Sequence, residues 1–237
     1  MENKYQLLKE IIGNSKKIVF FTGAGISVPS GIPDFRSASG LYKNVYRAEE
    51  MLSHHFFDQN PEEFYEFYRD KMIYTDAKPN KAHEYIAKLE QQGKVKAVIT
   101  QNIDGLHELA GSKNVIELHG SIYRNYCMQC HKFYGLDTIT NSSGIPRCEC
   151  GGIIKPDVVL YEECLSESAM YNAASAILAA DTLIIIGTSL SVYPAANFIN
   201  YYRGNNLIIL NKQKTPSDYM ANLVINDDII NIVNNII

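Results

Sequence analysis

KIVFFTGAGISVPSGIPDFR, residues Lys17–Arg36, starts with the apolar, β-favouring run Ile18-Val19-Phe20-Phe21 and passes directly into Gly23-Ala24-Gly25-Ile26-Ser27. That order reads as a buried strand ending in a glycine turn. Glycines at such a junction let the chain turn tightly and let a pyrophosphate approach bare N–H groups at the start of the next helix. The pattern G-x-G-x-S lacks the third glycine of the dinucleotide fingerprint, so the turn alone also fits a strand-to-helix connection with no ligand. A hydride-transfer fold would continue through a helix to a second strand carrying a ribose-binding acid roughly 20 residues on. Here Pro29-Ser30-Gly31-Ile32-Pro33-Asp34-Phe35-Arg36 follows instead, and two prolines with a glycine forbid a long helix. The segment is read as an irregular loop over the turn, offering a bound cofactor the aromatic face of Phe35 and the cation of Arg36.

Bulk properties narrow the field. With 237 residues, 46% of them hydrophobic, the chain can bury one sizeable core or one large domain with small insertions. It has no run of about 18 apolar residues, so no membrane-spanning helix is expected. MENKYQLLKEII at the N-terminus carries charges through its apolar positions and reads as an amphipathic helix, so a cytoplasmic location is expected. The net charge of −4 is spread without a basic cluster, which argues against direct nucleic-acid binding and leaves a basic peptide as an easier partner. Five cysteines in a chain without an export signal point to metal or free thiols rather than disulfides.

Taken in order, residues 1–16 predict a helix with Leu7, Leu8, Ile11 and Ile12 inward. Residues 37–77 hold a dense aromatic and charged segment in which Asn60-Pro61-Glu62-Glu63 starts a helix. A helix over 81–92 and a strand over Lys96–Thr100 follow, then the loop Gln101-Asn102-Ile103-Asp104-Gly105-Leu106-His107 and a strand over Val115–Leu118 leading to His119-Gly120. Beyond the cysteines come Asp157–Tyr161, a helix near 166–179, strands at Thr182–Ile186, Leu207–Leu210 and Leu223–Ile225, and a last helix. Runs such as LIIIG and LIIL are apolar on both faces, as a parallel sheet covered by helices on each side requires. The expected fold is α/β, a doubly wound, Rossmann-like parallel sheet formed by residues 1–36, 78–122 and 155–237. A helical insertion over 37–77 and a zinc-binding insertion over 123–154 interrupt it. In such folds ligands bind beyond the C-terminal strand ends, where GAGIS, QNID, HG and GTS (Gly187-Thr188-Ser189) all fall.

Cys127-x2-Cys130-x17-Cys148-x-Cys150 places two close thiol pairs across a short loop, the donor set of a tetrahedral zinc site. Four sulfurs leave no open position for water, so the metal is read as structural. Cys164 lies outside the pattern and reads as a packed thiol. A lone histidine is usually structural, but His119 ends a strand on the same rim as QNID and GAGIS. It is therefore the leading general base, with an unperturbed pKa of about 6.5 suited to proton transfer. His54, His55, His83, His107 and His131 lack that setting. Asn102 and Asp104 also suit caps for the helix beginning at Gly105, and Asp34 a cap for its own loop.

GAGIS followed by GIPDFR, then QNID, HG, the four-cysteine module and GTS, resembles the sirtuins, NAD-dependent protein deacylases, and looks most like their compact bacterial members. The resemblance runs from Gly23 to the terminal strand. It implies NAD lying across the strand ends, with Gly23, Ala24, Gly25 and Ser27 beside the phosphates and Gly187, Thr188 and Ser189 also at the cofactor. It further implies Asn211, Asp228 and Ile229 near the adenosine, and Asp34, Phe35 and Arg36 covering the ribose and nicotinamide side. Gln101, Asn102, Ile103 and Asp104 would form the nicotinamide pocket, with Asn102 joining His119 as a catalytic residue. Nicotinamide departs, the acyl-lysine oxygen attacks C1′, and His119 deprotonates the ribose hydroxyl that carries the acyl group onward. The implied products are deacylated lysine, nicotinamide and O-acyl-ADP-ribose, with an acyl-lysine protein or peptide as substrate and zinc as structural metal.

Three positions depart from the family pattern. Val28 stands where relatives often have a hydroxyl residue, Tyr161-Glu162-Glu163 where F-G-E is usual, and Gln213 where an acid is common. The second bears on the peptide, which is expected to add as a strand between Asp157–Leu160 and the loop near Ser191–Tyr193. Succinyl-removing members resemble one another in a Tyr-x-x-Arg pair, aligned here with Tyr68-x-x-Lys71. Lysine lacks the bidentate fork, so deacetylation or removal of another uncharged acyl is expected. The alternatives are a mono-ADP-ribosyltransferase or a long-chain deacylase on the same site, a zinc-ribbon adaptor, and a dehydrogenase. The adaptor leaves the strand-end motifs unexplained, and the dehydrogenase lacks the third glycine and the ribose acid.

Overall fold

The computed structural model describes residues 2–35, 40–41, 47–191 and 193–237. Among them the strands are, in chain order, β1 (Ile18–Thr22), β2 (Val95–Thr100), β3 (Val115–Glu117), β4 (Gly120–Cys127), β5 (Phe133–Tyr134), β6 (Ile154–Val158), β7 (Thr182–Ile186), β8 (Asn206–Leu210) and β9 (Leu223–Ile225). Six of them form one sheet in the order β3-β2-β1-β7-β8-β9, every neighbouring pair parallel. The chain winds outward from β1 to β2 and β3, returns to β7 beside β1, and winds outward the other way. The β1/β7 junction, where Thr22 pairs with Ile186, is therefore the topological switch point.

Every residue of β1 and β7 is buried, because helices cover both faces of the sheet. Side chains alternate between two cores with the strand period of two. Ile18, Phe20, Ile184 and Ile208 meet the helices at Glu2–Asn14, Lys81–Gln91 and Ile229–Ile236 through Leu8, Ile86 and Ile232. Val19, Phe21, Ile185 and Ile209 face Ala173 and Ile177 of the helix at Glu167–Ala179, and Phe198 of the 3-10 turn at Ala195–Tyr201. The N-terminal helix buries Tyr5, Leu8 and Ile12, not the expected quartet, and Leu7 is 43% exposed. Positions 5, 8 and 12 share one stripe of a 3.6-residue helix, and Leu7 turns off it.

Residues 157–161, grouped by sequence with the parallel-sheet domain, begin in β6, which ends at Val158 and lies outside the parallel sheet. It pairs antiparallel with β4, which also pairs with β5, in a separate three-stranded sheet. The helices at His54–Gln59 and Pro61–Lys71 pack on this small sheet through Phe56, Phe57, Phe64, Tyr65 and Tyr68, which share a core with Ile122, Ile139 and Ile154. Pro61 opens the second of these helices as expected, with Glu62 and Glu63 in its first turn.

Candidate functional site

Backbone hydrogen bonds knit the C-terminal ends of the six parallel strands into one rim. Gly23 N donates to Ile186 O (3.0 Å), Gln101 N to Thr22 O (3.0 Å), Leu118 N to Thr100 O (2.8 Å), Gly187 N to Leu210 O (3.1 Å) and Asn211 N to Ile225 O (3.2 Å). Above this rim lies a cavity of about 610 Å³, within the range of ligand pockets. Its lining gathers Ala24, Gly25, Ser27, Asp34 and Phe35, all of Gln101–Asp104, His119, Gly187–Ser189, Asn211, Asp228 and Ile229. Gly23 is not on the wall, and Arg36 lies outside the described residues.

The glycines do a different job from the one expected of them. Gly23 N–H is spent on Ile186, and Gly25 N–H donates to Gly187 O at 2.8 Å, so neither is bare. A side chain at Gly23 would come within 2.7 Å of Thr188 Cβ, and one at Gly25 within 2.6 Å of Gly187 Cα. Gly187 itself sits at φ +64°, where a Cβ would meet Ile26 N at 2.4 Å. The turn after β1 and the turn after β7 thus touch backbone to backbone, which only glycine permits. Ala24, at the start of the 3-10 turn that follows β1, lines the cavity.

The QNID loop is held by side chains on the same floor. Asn102 Nδ2 donates to Gly23 O (3.2 Å) and Ser27 Oγ (3.0 Å), and Ser27 Oγ donates to Asp104 Oδ2 (2.7 Å). Asp104 Oδ1 accepts from Leu106 N at 2.9 Å, an Asx turn leading into the helix at Leu106–Leu109, whose N-cap is Gly105. Burial raises its carboxyl above the ordinary value, and the Leu106 and Ser27 donors oppose that shift. Gln101 Nε2 reaches Thr188 Oγ1 at 3.1 Å and ties the second strand end to the fourth. Asp228 Oδ1 accepts from Ile230 N (2.9 Å) as the cap of the last helix, and Asn211 Nδ2 donates to Gln213 O (2.8 Å).

His119 carries the clearest chemical signature. Its Nδ1 lies 2.9 Å from Gln101 O, and a carbonyl can only accept, so Nδ1 holds the proton and Nε2 keeps its lone pair. Burial lowers its pKa below the ordinary imidazole value, and the Gln101 bond partly opposes this. The ring is thus neutral at neutral pH. His107 proves structural: it is buried, with Nε2 3.0 Å from Thr22 Oγ1, edge-on to His83 at 4.8 Å between centroids.

The four cysteines converge as their spacing predicts. All four Sγ atoms lie within 4.8 Å of one another, with Cys127–Cys150 at 3.4 Å and Cys130–Cys148 at 3.5 Å. Zinc–sulfur bonds of about 2.3 Å in a tetrahedron put sulfurs about 3.8 Å apart, so the cluster fits the metal. Gln129 and Cys130 N–H groups point at Cys127 Sγ, and the Tyr134 hydroxyl donates to Cys148 Sγ at 3.0 Å, as thiolate ligands need. Cys164 is exposed rather than packed.

One brace of the site carried no motif. Asn80 Nδ2 braces the loop after β1 from below, donating to Ile26 O (2.8 Å) and Ser30 Oγ (2.9 Å). The Leu160–Glu163 segment forms the far wall, and Lys71, Met72 and Tyr74 approach from the helical segment. Tyr68 does not join them: its hydroxyl is buried without a hydrogen-bond partner, and Lys71 pairs with Asp70 at 2.8 Å.

The Sir2 family model matches residues 23–194. A Clostridium perfringens (strain 13 / Type A) protein named NAD-dependent protein deacetylase is 59% identical over 235 residues, covering 97% of this chain and 96% of the relative. The chain belongs to the Sir2 family. A Staphylococcus epidermidis (strain ATCC 12228 / FDA PCI 1200) relative of the same name is 47% identical over 98% of this chain and 96% of its own length. Among solved structures, a Sir2 complex with deacetylated p53 peptide and 3′-O-acetyl ADP-ribose superposes with TM-score 0.92 at 41% identity, covering 98% of this chain and 97% of that one. A Sir2–p53 peptide–NAD+ complex gives TM-score 0.88 at 41% identity over the same shares. This Sir2-family chain therefore has its strand-end cavity in a fold whose solved members hold NAD and peptide.

Proposed function

We propose that this Sir2-family protein works as an NAD-dependent protein-lysine deacetylase, moving the acyl group of an acyl-lysine protein or peptide to ADP-ribose with release of nicotinamide. The observation that carries the reading is the His119 tautomer: Nδ1 is tied to Gln101 O, leaving a neutral Nε2 base on the wall shared with Ala24, Asn102 and Thr188. Bound NAD supplies the ribose carbon from which nicotinamide leaves and the hydroxyl through which the acyl group travels. Every other contribution comes from the chain. The phosphates lie beside Ala24, whose N–H donates to them, on the floor formed where the turns at Gly23, Gly25 and Gly187 pack together; Ser189 extends that floor, and Asn211, Asp228 and Ile229 border the adenosine. Asn102 has both amide hydrogens fixed by Gly23 and Ser27, so its carbonyl oxygen is the group left to orient the nicotinamide-side ligand. His119 removes the ribose hydroxyl proton. Asp34 and Phe35 line the same cavity and shield it from water, which strengthens each polar contact inside it.

Zinc bound by Cys127, Cys130, Cys148 and Cys150 serves structure, since four thiolates leave no site for a reacting group. A cytoplasmic setting suits those thiolates, and with a net charge of −4 the partner is a peptide rather than nucleic acid. The acyl group is read as uncharged: Tyr68 is buried and Lys71 is bound to Asp70, so this pair offers no fork to a second carboxylate. The test is nicotinamide release from NAD with acetyl- and succinyl-lysine peptides. We expect release that depends on peptide, favours acetyl, and drops by about 10²–10⁴ in His119→Ala. Peptide-independent release, label from NAD retained on the protein acceptor, or a clear succinyl preference would each overturn part of the reading.

A further inference from the structure

The far wall of the cavity is fastened to the helical segment by a compact polar clasp. His54 N donates to Tyr161 O and Tyr161 N to Leu52 O, both at 2.9 Å, forming a short parallel bridge. Glu162 sits at φ +75°, a conformation that normally calls for glycine, and its carboxylate accepts from His55 N at 2.9 Å. Glu163 accepts from Leu160 N (2.8 Å) and from Lys155 Nζ (3.1 Å). Its remaining partner is His54, whose Nδ1 lies 2.8 Å from Glu163 Oε1 while Nε2 lies 3.2 Å from Asp58 Oδ2.

Both His54 nitrogens thus face groups that can only accept. A neutral imidazole has one N–H and a lone pair, so it satisfies one carboxylate and repels the other; only the imidazolium satisfies both. The groups facing the ring are Asp58 from its own helix, Glu163 with Glu162 beside it from the far wall, and Lys155 from β6. Glu163 first, then Asp58, raise the His54 pKa above the ordinary value, against partial burial and the Lys155 charge. The ring is 44% exposed, so it exchanges protons with solvent.

We propose that His54 is a protonation-dependent positioning residue: as imidazolium it pins the Leu160–Glu163 wall to the His54–Gln59 helix, and on losing its proton it loosens that wall and weakens acyl-peptide binding without altering the proton transfer at His119. The inference rests on the deacetylase reading above, with the peptide lying along the segment that follows β6. His119 accepts through its backbone from Val159 N at 3.0 Å, while its ring bonds Gln101 O on the loop after β2 and not the clasp.

The test is steady-state turnover of an acetyl-lysine peptide, end-blocked and free of groups titrating between about pH 6 and pH 8.5. In the unaltered protein the peptide KM rises with pH by up to about fivefold, the range open to a half-exposed ion pair. His54→Gln holds KM at the higher value across the range, His54→Arg holds it low, and neither shifts the acid limb of kcat. A peptide KM that is flat in the unaltered protein, or that keeps its pH dependence in His54→Gln, overturns the proposal. Hydrogen exchange of residues 160–163 against pH is the readout that does not depend on turnover. Protection lost as His54 deprotonates, and insensitive to pH in His54→Gln, supports the clasp even if peptide-dependent nicotinamide release were to fail; unchanged protection sinks it.

Discussion

Gly25 shows how a single hydrogen atom can decide a site. The added methyl of Gly25→Ala would enter a space where Gly187 Cα stands 2.6 Å away and Gly187 O 2.8 Å away, both backbone atoms with nowhere to go. The two turns must separate, and the Gly25–Gly187 hydrogen bond goes with them. We expect Gly25→Ala to lose NAD binding by at least about tenfold in calorimetry while acetyl-peptide binding changes little; a loss of a buried backbone contact of about 1–3 kcal/mol corresponds to that scale. His119 makes a second residue-level prediction. Its pKa is lowered by burial, and the neutral form is the competent one, so activity is retained as pH falls until the folded-state value is reached. The acid limb of kcat for acetyl-peptide turnover should therefore lie below the ordinary imidazole value of about 6.5. A limb at or above that value would place the base elsewhere. At this scale much was legible in the chain. His119, QNID and GTS stand out because each follows an apolar run that must be a strand. The true task of the glycines did not, because the sequence shows a flexible turn but not the second turn pressed against it. Nor was Asn80 legible as a brace, since a residue before a helix reads simply as a cap, which it also is.

The elements divide by what stabilises them. The six-stranded sheet rests on two hydrophobic cores of its own. The three-stranded sheet instead shares its core with the helices at His54–Gln59 and Pro61–Lys71, and Cys127 and Cys148 sit inside that shared core. Tyr65 O–H donates to Ile154 O at 2.6 Å, and Arg69 Nε to Ile139 O at 2.9 Å, so the helices also bond to the cysteine-bearing segment. Removing zinc should therefore loosen more than the knuckles. Under chelation we expect hydrogen-exchange protection to fall over residues 120–158 and 54–71 together, while β1, β2, β7 and β8 keep theirs. Loss confined to residues 127–150 would show the helices to be independent of the metal. The periodicity of the parallel strands made the large sheet readable. By sequence, residues 155–158 group with the parallel-sheet domain, because a few residues between turns do not state which sheet they join. The helical insertion was visible as a helix start at Pro61 and a run of aromatics, but the sequence gives no sign of which sheet those rings cover.

Across the whole molecule, burial of two imidazoles sets a response to acid. His83 and His107 lie edge-on beneath the loop after β1, with His83 Nε2 and His107 Nδ1 lacking partners. Burial lowers His83 to about 4 and His107 well below its ordinary value, the latter helped by the His83 charge. The unfolded chain binds these protons near pH 6.5 and the folded chain does not, so stability is full above about pH 6.5 and declines as pH falls toward the folded values. For His83 the loss reaches about 3 kcal/mol at most, several degrees in Tm for a chain of this length. Melting curves between about pH 7 and pH 5 should show that decline, and the double variant His83→Gln, His107→Gln should have a shallower slope than the parent measured alongside it, with the zinc contribution common to both. Equal slopes would mean that other groups carry the acid response.

The cavity wall belongs to two bodies. Its floor stands on the six strand ends, and its far side rises from the segment that leaves β6. A molecule long enough to touch both acts as a strut between them, and its own rigidity becomes part of the protein's mechanics. A compound confined to the floor leaves the far wall without that strut. Two inhibitors of equal affinity would then be told apart by protease nicking near residue 161, slowed by the one that spans and unchanged by the one that does not.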